Sequence, residues 1–182
     1  MKAILQPYFY DFWLTSGTLL GWYRECGIIP YTSDVDFGMR ASDVKSLESI
    51  LQLFRKSRSL KLVMRYGLVE EALELTLDYK GLKMDIFFFY KEGNQSYVAC
   101  HYRDSNSYAK VLYPPFSLCS AALLGEKVLV PCETETILKT EYGPNWTQPI
   151  SKWDWKNSFF NKGPEIHWEN NKKKQVYEQF MG

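Results

Sequence analysis

From its N-terminus the chain alternates short apolar runs with polar breaks. Phe12-Trp13-Leu14-Thr15 is apolar and β-prone, and it leads into Ser16-Gly17-Thr18. Leu19 to Cys26 then reads as a short helix closed by Gly27, which adopts a left-handed cap without strain. Ile28-Ile29-Pro30-Tyr31 predicts a loop, and Asp34 to Met39 a strand. Val44, Leu47, Ile50, Leu51 and Phe54 recur at helical spacing, which predicts a helix from Asp43 to about Lys56 with Ser42 as its cap.

Beyond that point the period falls to two. Leu60 to Tyr66, Leu73 to Tyr79, Leu82 to Tyr90 and Tyr97 to Tyr102 read as strands, the second and third forming a hairpin at Lys80-Gly81. Glu126 to Val130 adds a short strand, and Glu133 to Tyr142 a helix stopped by Gly143-Pro144. From about residue 145 the chain mixes Trp, Pro, Asn and Lys without period, which predicts an irregular tail packed by Trp153 and Trp155. No internal repeat is present. This order predicts an α/β or α+β fold: one domain over residues 1–182, with a mixed sheet and flanking helices.

Composition narrows the function. A chain of 182 residues buries enough surface to fold without structural metal or disulfides. Lys and Arg number 22 against 21 acids, which argues against a nucleic-acid or anionic-membrane binder, since either needs a basic excess. Lys172-Lys173-Lys174 accordingly reads as a solvated stretch. Aromatics make up 16 % of the chain and suit a core or a sugar and base platform equally well. No apolar run approaches the ~20 residues of a membrane span. Met1 to Leu5 is interrupted at once by Gln6-Pro7, so no signal peptide is expected, and any anchor is expected outside this sequence. Cys26, Cys100, Cys119 and Cys132 lack ligand spacing, which leaves two disulfides or four buried thiols. Asn94-Gln95-Ser96 and Asn145-Trp146-Thr147 are glycosylation sequons, relevant only in a secretory compartment.

Candidate chemistry concentrates in three places. Asp34-Val35-Asp36 opens a predicted strand, so both carboxylates face one point. Two such acids repel unless a cation or proton lies between them, and hard oxygen ligands suit magnesium or manganese bound with a phosphate. A solvated turn is the plainer reading of these residues alone. Gly17 and Thr18 lie between a strand and a helix, where backbone N–H groups can meet a phosphate, although a plain helix start uses the same residues. Asp85 stands alone in the apolar run Met84 to Phe89, where a carboxylate costs several kcal/mol unless paired or metal-bound. Three acids beside a phosphate-cradling turn are what metal-assisted displacement at phosphorus requires.

Ser16-Gly17-Thr18-Leu19-Leu20-Gly21-Trp22-Tyr23-Arg24 and Ile28-Ile29-Pro30-Tyr31-Thr32-Ser33-Asp34-Val35-Asp36-Phe37-Gly38 resemble the signature of the LicD/fukutin family. Lys83-Met84-Asp85-Ile86, Val130-Pro131-Cys132-Glu133-Thr134, Tyr142-Gly143-Pro144-Asn145-Trp146 and Trp153-Asp154-Trp155-Lys156 are similar to its later segments, so the resemblance runs from Phe12 to about Lys156. It implies a nucleotidyltransferase-like fold and a Golgi phosphotransferase that moves ribitol 5-phosphate from CDP-ribitol to the O-mannosyl glycan of α-dystroglycan. It also implies that Asp34, Asp36 and Asp85 hold Mg²⁺ or Mn²⁺, and that Gly17 and Thr18 face the donor phosphates. Partners implied are a CDP-alditol, a glycoprotein glycan, and further copies or related transferases. Membrane association would come through an N-terminal anchor and stem of the kind the family carries, so this sequence is expected to be the catalytic domain alone or a truncated product. In an oxidising lumen the four cysteines are expected to pair. Relatives that use CDP-choline or another CDP-alcohol, and an inactive scaffold member, are the alternatives.

Other residues carry less weight. Arg24 ends a predicted helix and could reach a phosphate or serve as a solvated cap. His101 and His167 read as structural, because neither has a Ser or Cys partner. Tyr142 reads as a helix terminator, and the resemblance retains it as a substrate contact. No general base stands out beyond the three aspartates and the metal.

Overall fold

The computed structural model describes residues 1–8, 10–173 and 175–180, so Lys174 of the lysine run lies outside the described residues. Its elements in chain order are α1 (Lys2–Leu5), β1 (Phe12–Leu14), α2 (Ser16–Glu25), β2 (Asp34–Arg40), α3 (Leu47–Arg55), β3 (Lys61–Leu68), β4 (Glu71–Tyr79), β5 (Leu82–Glu92), β6 (Gln95–Tyr102), β7 (Ser107–Tyr113), β8 (Leu118–Leu123), β9 (Glu126–Pro131), α4 (Thr134–Tyr142), β10 (Lys162–His167) and β11 (Tyr177–Gln179). The mixed α/β architecture matches the sequence expectation.

β5 is the hub of a nine-stranded sheet. Residues 82–87 ladder with β4, residues 83–89 run parallel to β2, and the last three pair with β6. The β2–β5 ladder is the single parallel pairing among the described residues. Alternation along β5 separates two faces: Met84, Ile86 and Phe88 enter the core, whereas Lys83, Asp85 and Phe87 line a pocket. β4 repeats the pattern, with Leu73, Leu75 and Leu77 inward and Glu74 and Thr76 on the pocket side. Ile50, Leu51 and Phe54 of α3 join the same core cluster as the β4 and β5 leucines and isoleucine.

Several boundaries differ from expectation for local reasons. α2 starts at Ser16, not Leu19, because the Leu19 N–H already donates to Thr15 O at 3.0 Å. Its left-handed cap is Cys26 (φ 53°), not Gly27, whose N–H donates to Gly21 O instead. α3 starts at Leu47 and not Asp43. Ser46 accepts from the Ser49 N–H and Ser49 answers the Ser46 N–H, a closed capping box, whereas Ser42 has Lys45 in the reciprocal position. The tail is not wholly irregular either. β10 pairs with β7 and β11 with β3, so it adds a strand at each end of the main strand path.

A separate hairpin, β8–β9, turns at Leu124-Gly125, both with positive φ, and a disulfide joins Cys119 of β8 to Cys132, the residue after β9. The Trp22 indole N–H donates to Ala122 O at 2.9 Å and ties this hairpin to α2. The expected pairing of all four cysteines is thus half met: Cys26 is free and exposed, Cys100 free and buried. A bridge across a separation of 13 residues constrains the unfolded chain by about 3 kcal/mol. Replacing both Cys119 and Cys132 by Ser should therefore lower Tm by roughly 5–10 °C. A melt within about a degree of the parent would show that the bridge adds nothing.

Candidate active site

The β2–β5 register sets the site. Asp34 lies opposite Lys83, and Asp36 opposite Asp85, so two strands place four charged side chains on one face. Oxygens of Asp34, Asp36 and Asp85 all lie within 4.8 Å of one another. Asp36 is 9 % and Asp85 3 % exposed, so their repulsion is little screened by water.

Each acid is held by a neighbour. The Thr76 hydroxyl donates to Asp85 Oδ1 at 2.7 Å, and Lys83 Nζ to Asp85 Oδ2 at 2.5 Å. The same ammonium stands 3.7 Å from Asp34 Oδ2, while the Thr32 hydroxyl donates to Asp34 Oδ1 at 3.0 Å. The Gly17 N–H donates to Asp36 Oδ2 at 3.1 Å. Burial, then the charges of Asp34, Asp85 and Glu141, push the Asp36 carboxyl well above its ordinary range against the opposing pull of Lys83. Burial alone would lower the Lys83 ammonium, but the charge and hydrogen bond of Asp85, with Asp34 and Glu74, hold it above its ordinary value.

This donor set fits a hard divalent cation. Three carboxylates from two strands converge, two of them buried, and a lysine is their sole charged counterpart within hydrogen-bond or ion-pair distance among the described residues.

The remaining predicted residues divide. Gly17 lines the pocket, but its N–H points at Asp36, and a Cβ there would stand 3.4 Å from Asp36 Oδ2. Thr18 is 3 % exposed, and its hydroxyl accepts the Asp36 N–H at 2.8 Å; it anchors β2 to α2 and does not line the pocket. Arg24 lines the pocket, with its guanidinium donating to Glu25 Oε1, Trp146 O and the Tyr31 hydroxyl. Tyr142 lines it too, its ring 4.8 Å from that of Trp153. His101 stacks on Tyr66, and its Nε2 lies 2.8 Å from Ala72 O; burial lowers it to about 4, so it is neutral at physiological pH. His167 is exposed on β10.

The pocket encloses about 490 Å³. Acids form one part of its lining, Met64, Tyr66 and Glu74 another, and Tyr31, Trp146, Trp153 and Trp155 an aromatic part. Trp155, expected only to pack the tail, is 47 % exposed and lies nearly parallel to Tyr102.

Sequence reasoning missed Lys83, Thr76, Glu74 and Glu141 as parts of this site. Counting outward from the Lys80-Gly81 turn would have placed Thr76 opposite Asp85 and Glu74 opposite Phe87. Burial first, then Asp85, pushes the Glu74 carboxyl well above its ordinary range.

Glu141 carried no such signal. It is fully buried on α4, takes a hydrogen bond from the Tyr113 hydroxyl at 2.9 Å on Oε2, and leaves Oε1 unpartnered. Burial pushes it from near 4.5 up to about 7, against the opposing pull of the Tyr113 hydrogen bond and of the Tyr142 and Ser16 hydroxyls. A raised carboxyl stabilises the fold fully below its unfolded value, and that contribution is lost as pH climbs through the folded one. Glu141→Gln should therefore gain on the parent by up to ~3 kcal/mol at about pH 8 and by little at about pH 4. Melting curves with the same offset at both pH values would contradict this.

Residues 10–133 match the family model described as LicD/FKTN/FKRP, nucleotidyltransferase domain. The chain is 43 % identical over 158 residues to Ribitol-5-phosphate transferase FKTN of Mus musculus, covering 86 % of this chain and 34 % of that protein. To the Homo sapiens protein of the same name it is 42 % identical with the same coverage. An uncharacterized Caenorhabditis elegans protein is 33 % identical over 172 residues, covering 90 % of this chain and 45 % of the other. The chain thus spans about a third of the length of the ribitol-5-phosphate transferases it matches.

Proposed function

Because the chain belongs to the LicD/FKTN/FKRP nucleotidyltransferase-domain family, we propose that it is a metal-dependent phosphotransferase moving ribitol 5-phosphate from CDP-ribitol to an O-mannosyl glycan of α-dystroglycan. The observation that carries the reading is the convergence of Asp34 with the buried Asp36 and Asp85 in the lining of a pocket of about 490 Å³. These three aspartates would hold Mg²⁺ or Mn²⁺, which when bound would neutralise phosphate charge and make the phosphorus more open to attack.

The rest of the work falls to the chain itself. A glycan hydroxyl attacks the phosphorus bearing ribitol, the bond to the CMP oxygen breaks, and a site carboxylate takes the hydroxyl proton. Arg24, Gly17 and the aromatic lining border the space in which the nucleotide would be oriented. Thr18 acts one step back by fixing Asp36.

The compartment is a Golgi lumen in this reading, supported by the Cys119–Cys132 bridge and by the exposed sequon residues Asn94 and Asn145. No helix among the described residues is long and apolar enough to cross a membrane, so membrane attachment would use another segment. Assembly with further copies or related transferases belongs to the same proposal.

A second reading, transfer of phosphocholine, is favoured by one feature. Tyr31, Trp146 and Trp153 line the pocket, and aromatic faces attract a quaternary ammonium. Calorimetry with CDP-ribitol and CDP-choline, each with Mn²⁺ and with chelator, separates the two. CDP-ribitol should bind more tightly, and only with metal. Metal-independent binding would overturn the site, a choline preference the donor. Failure of every donor to bind with Mn²⁺ present would favour an inactive scaffold.

A further inference from the structure

We infer that Lys83 is an exchangeable counter-ion: its ammonium neutralises Asp85 and Asp34 until a divalent cation replaces it, and then moves to the diphosphate of the incoming donor. The inference rests on the phosphotransferase reading and adds a substrate-contacting residue to it.

Position comes first. Lys83 precedes Asp85 by two residues on β5 and faces Asp34 across the parallel ladder, so the backbone fixes its stem on the acidic face. Nζ bridges the two carboxylates at 2.5 Å and 3.7 Å, and a cation held by the triad would compete with it for that acidic corner. Two cations cannot share it without like-charge repulsion, so one must leave. The ammonium is the one free to go, since its side chain is 50 % exposed and ends a flexible four-carbon stem.

The donor gives it a destination. A nucleoside diphosphate brings negative charge to a floor that already carries three carboxylates. Among the described residues, Lys83 and Arg24 are the two lysine or arginine side chains lining the pocket. Arg24 is engaged by Glu25 at 2.7 Å, by Trp146 O and by the Tyr31 hydroxyl. Lys83 is thus the cation that metal binding itself would release, next to the place where the phosphates would arrive. Rotation about the stem suffices; no strand has to move.

Calorimetry on the whole chain tests both halves. With MnCl₂ alone, Lys83→Met should bind Mn²⁺ about tenfold more tightly than the parent, a screened Coulomb effect for a half-exposed charge. At saturating Mn²⁺ the same variant should bind CDP-ribitol about tenfold more weakly. Lys83→Arg, which keeps the charge, should stay near the parent in both titrations. Unchanged or weaker Mn²⁺ binding by Lys83→Met would overturn the counter-ion role, and unchanged CDP-ribitol binding would overturn the transfer to phosphate. Lys83→Gln repeats both titrations if the Met variant does not fold. A parent protein that binds neither Mn²⁺ nor CDP-ribitol would overturn the phosphotransferase reading and the inference with it, an outcome distinct from parent binding without any effect of Lys83.

Discussion

Asp36→Asn should lose transfer by roughly 10³-fold or more, since a lost metal ligand removes several kcal/mol of transition-state stabilisation. The same variant, free of metal, should melt no lower than the parent. Asp36 is buried beside two other carboxylates, and its carboxyl is held well above its ordinary range by that burial. Its ionised form therefore weakens the fold at neutral pH, and the amide removes the charge. The amide Oδ1 can still accept from the Gly17 N–H that now meets Oδ2. Two measurements carry the prediction. Product formation from CDP-ribitol should disappear, and with it the stabilisation that Mn²⁺ confers on the parent, about 2.7 kcal/mol at a hundredfold excess over Kd and read as a rise in Tm. Near-normal turnover would remove Asp36 from the reaction. A large loss of metal-free stability would make it a folding residue.

Gly38→Ala should strain the packing directly behind the acids. A Cβ at this position would lie 2.4 Å from the Trp13 ring atoms Cε2 and Nε1, and 2.8 Å from Phe89 Cε2. Trp13 pairs directly across from Gly38, is 1 % exposed, and is packed against Phe89 and Phe116. The indole therefore has nowhere to retreat, and overpacking of this kind costs about 1–3 kcal/mol. For a chain of this size that is a fall in Tm of roughly 3–10 °C. Because Gly38 and Asp36 share β2 and its register with β5, the strain should reach the acids and reduce Mn²⁺ affinity as well. A variant that melts with the parent would show that the Trp13 cluster repacks freely.

The acids were legible in the sequence because they break local patterns. Asp34-Val35-Asp36 repeats a charge at strand period, and Asp85 interrupts an apolar run, so each announces itself within a few residues. The hairpin at Lys80-Gly81 was legible for the same reason, and it forms with both residues at positive φ. What brings the acids together was not legible, because the parallel β2–β5 register spans an intervening helix and two strands. Lys83 shows the difference. It sat inside a motif already singled out, but its bridge to Asp34 exists only once that register is known. Thr18 shows the opposite limit: its identity suggested a phosphate contact, while its buried hydroxyl meets the backbone of Asp36. β8 escaped notice because Cys119-Ser120-Ala121-Ala122 has little strand character and is held by its partner, its bridge and Trp22.

The tail strands bear on what can be cut away. β10 supplies the ladder partner of β7, and β11 that of β3. The segment that defines the family stops at residue 133, ahead of α4 and of both tail strands. A recombinant fragment ending there would leave rows of unsatisfied N–H and C=O groups along β7 and β3, each a template for another chain. Such a fragment should come out of cells as inclusion bodies or soluble oligomers even with all three aspartates intact. The stretch that matches the family is thus shorter than the stretch that covers β7 and β3.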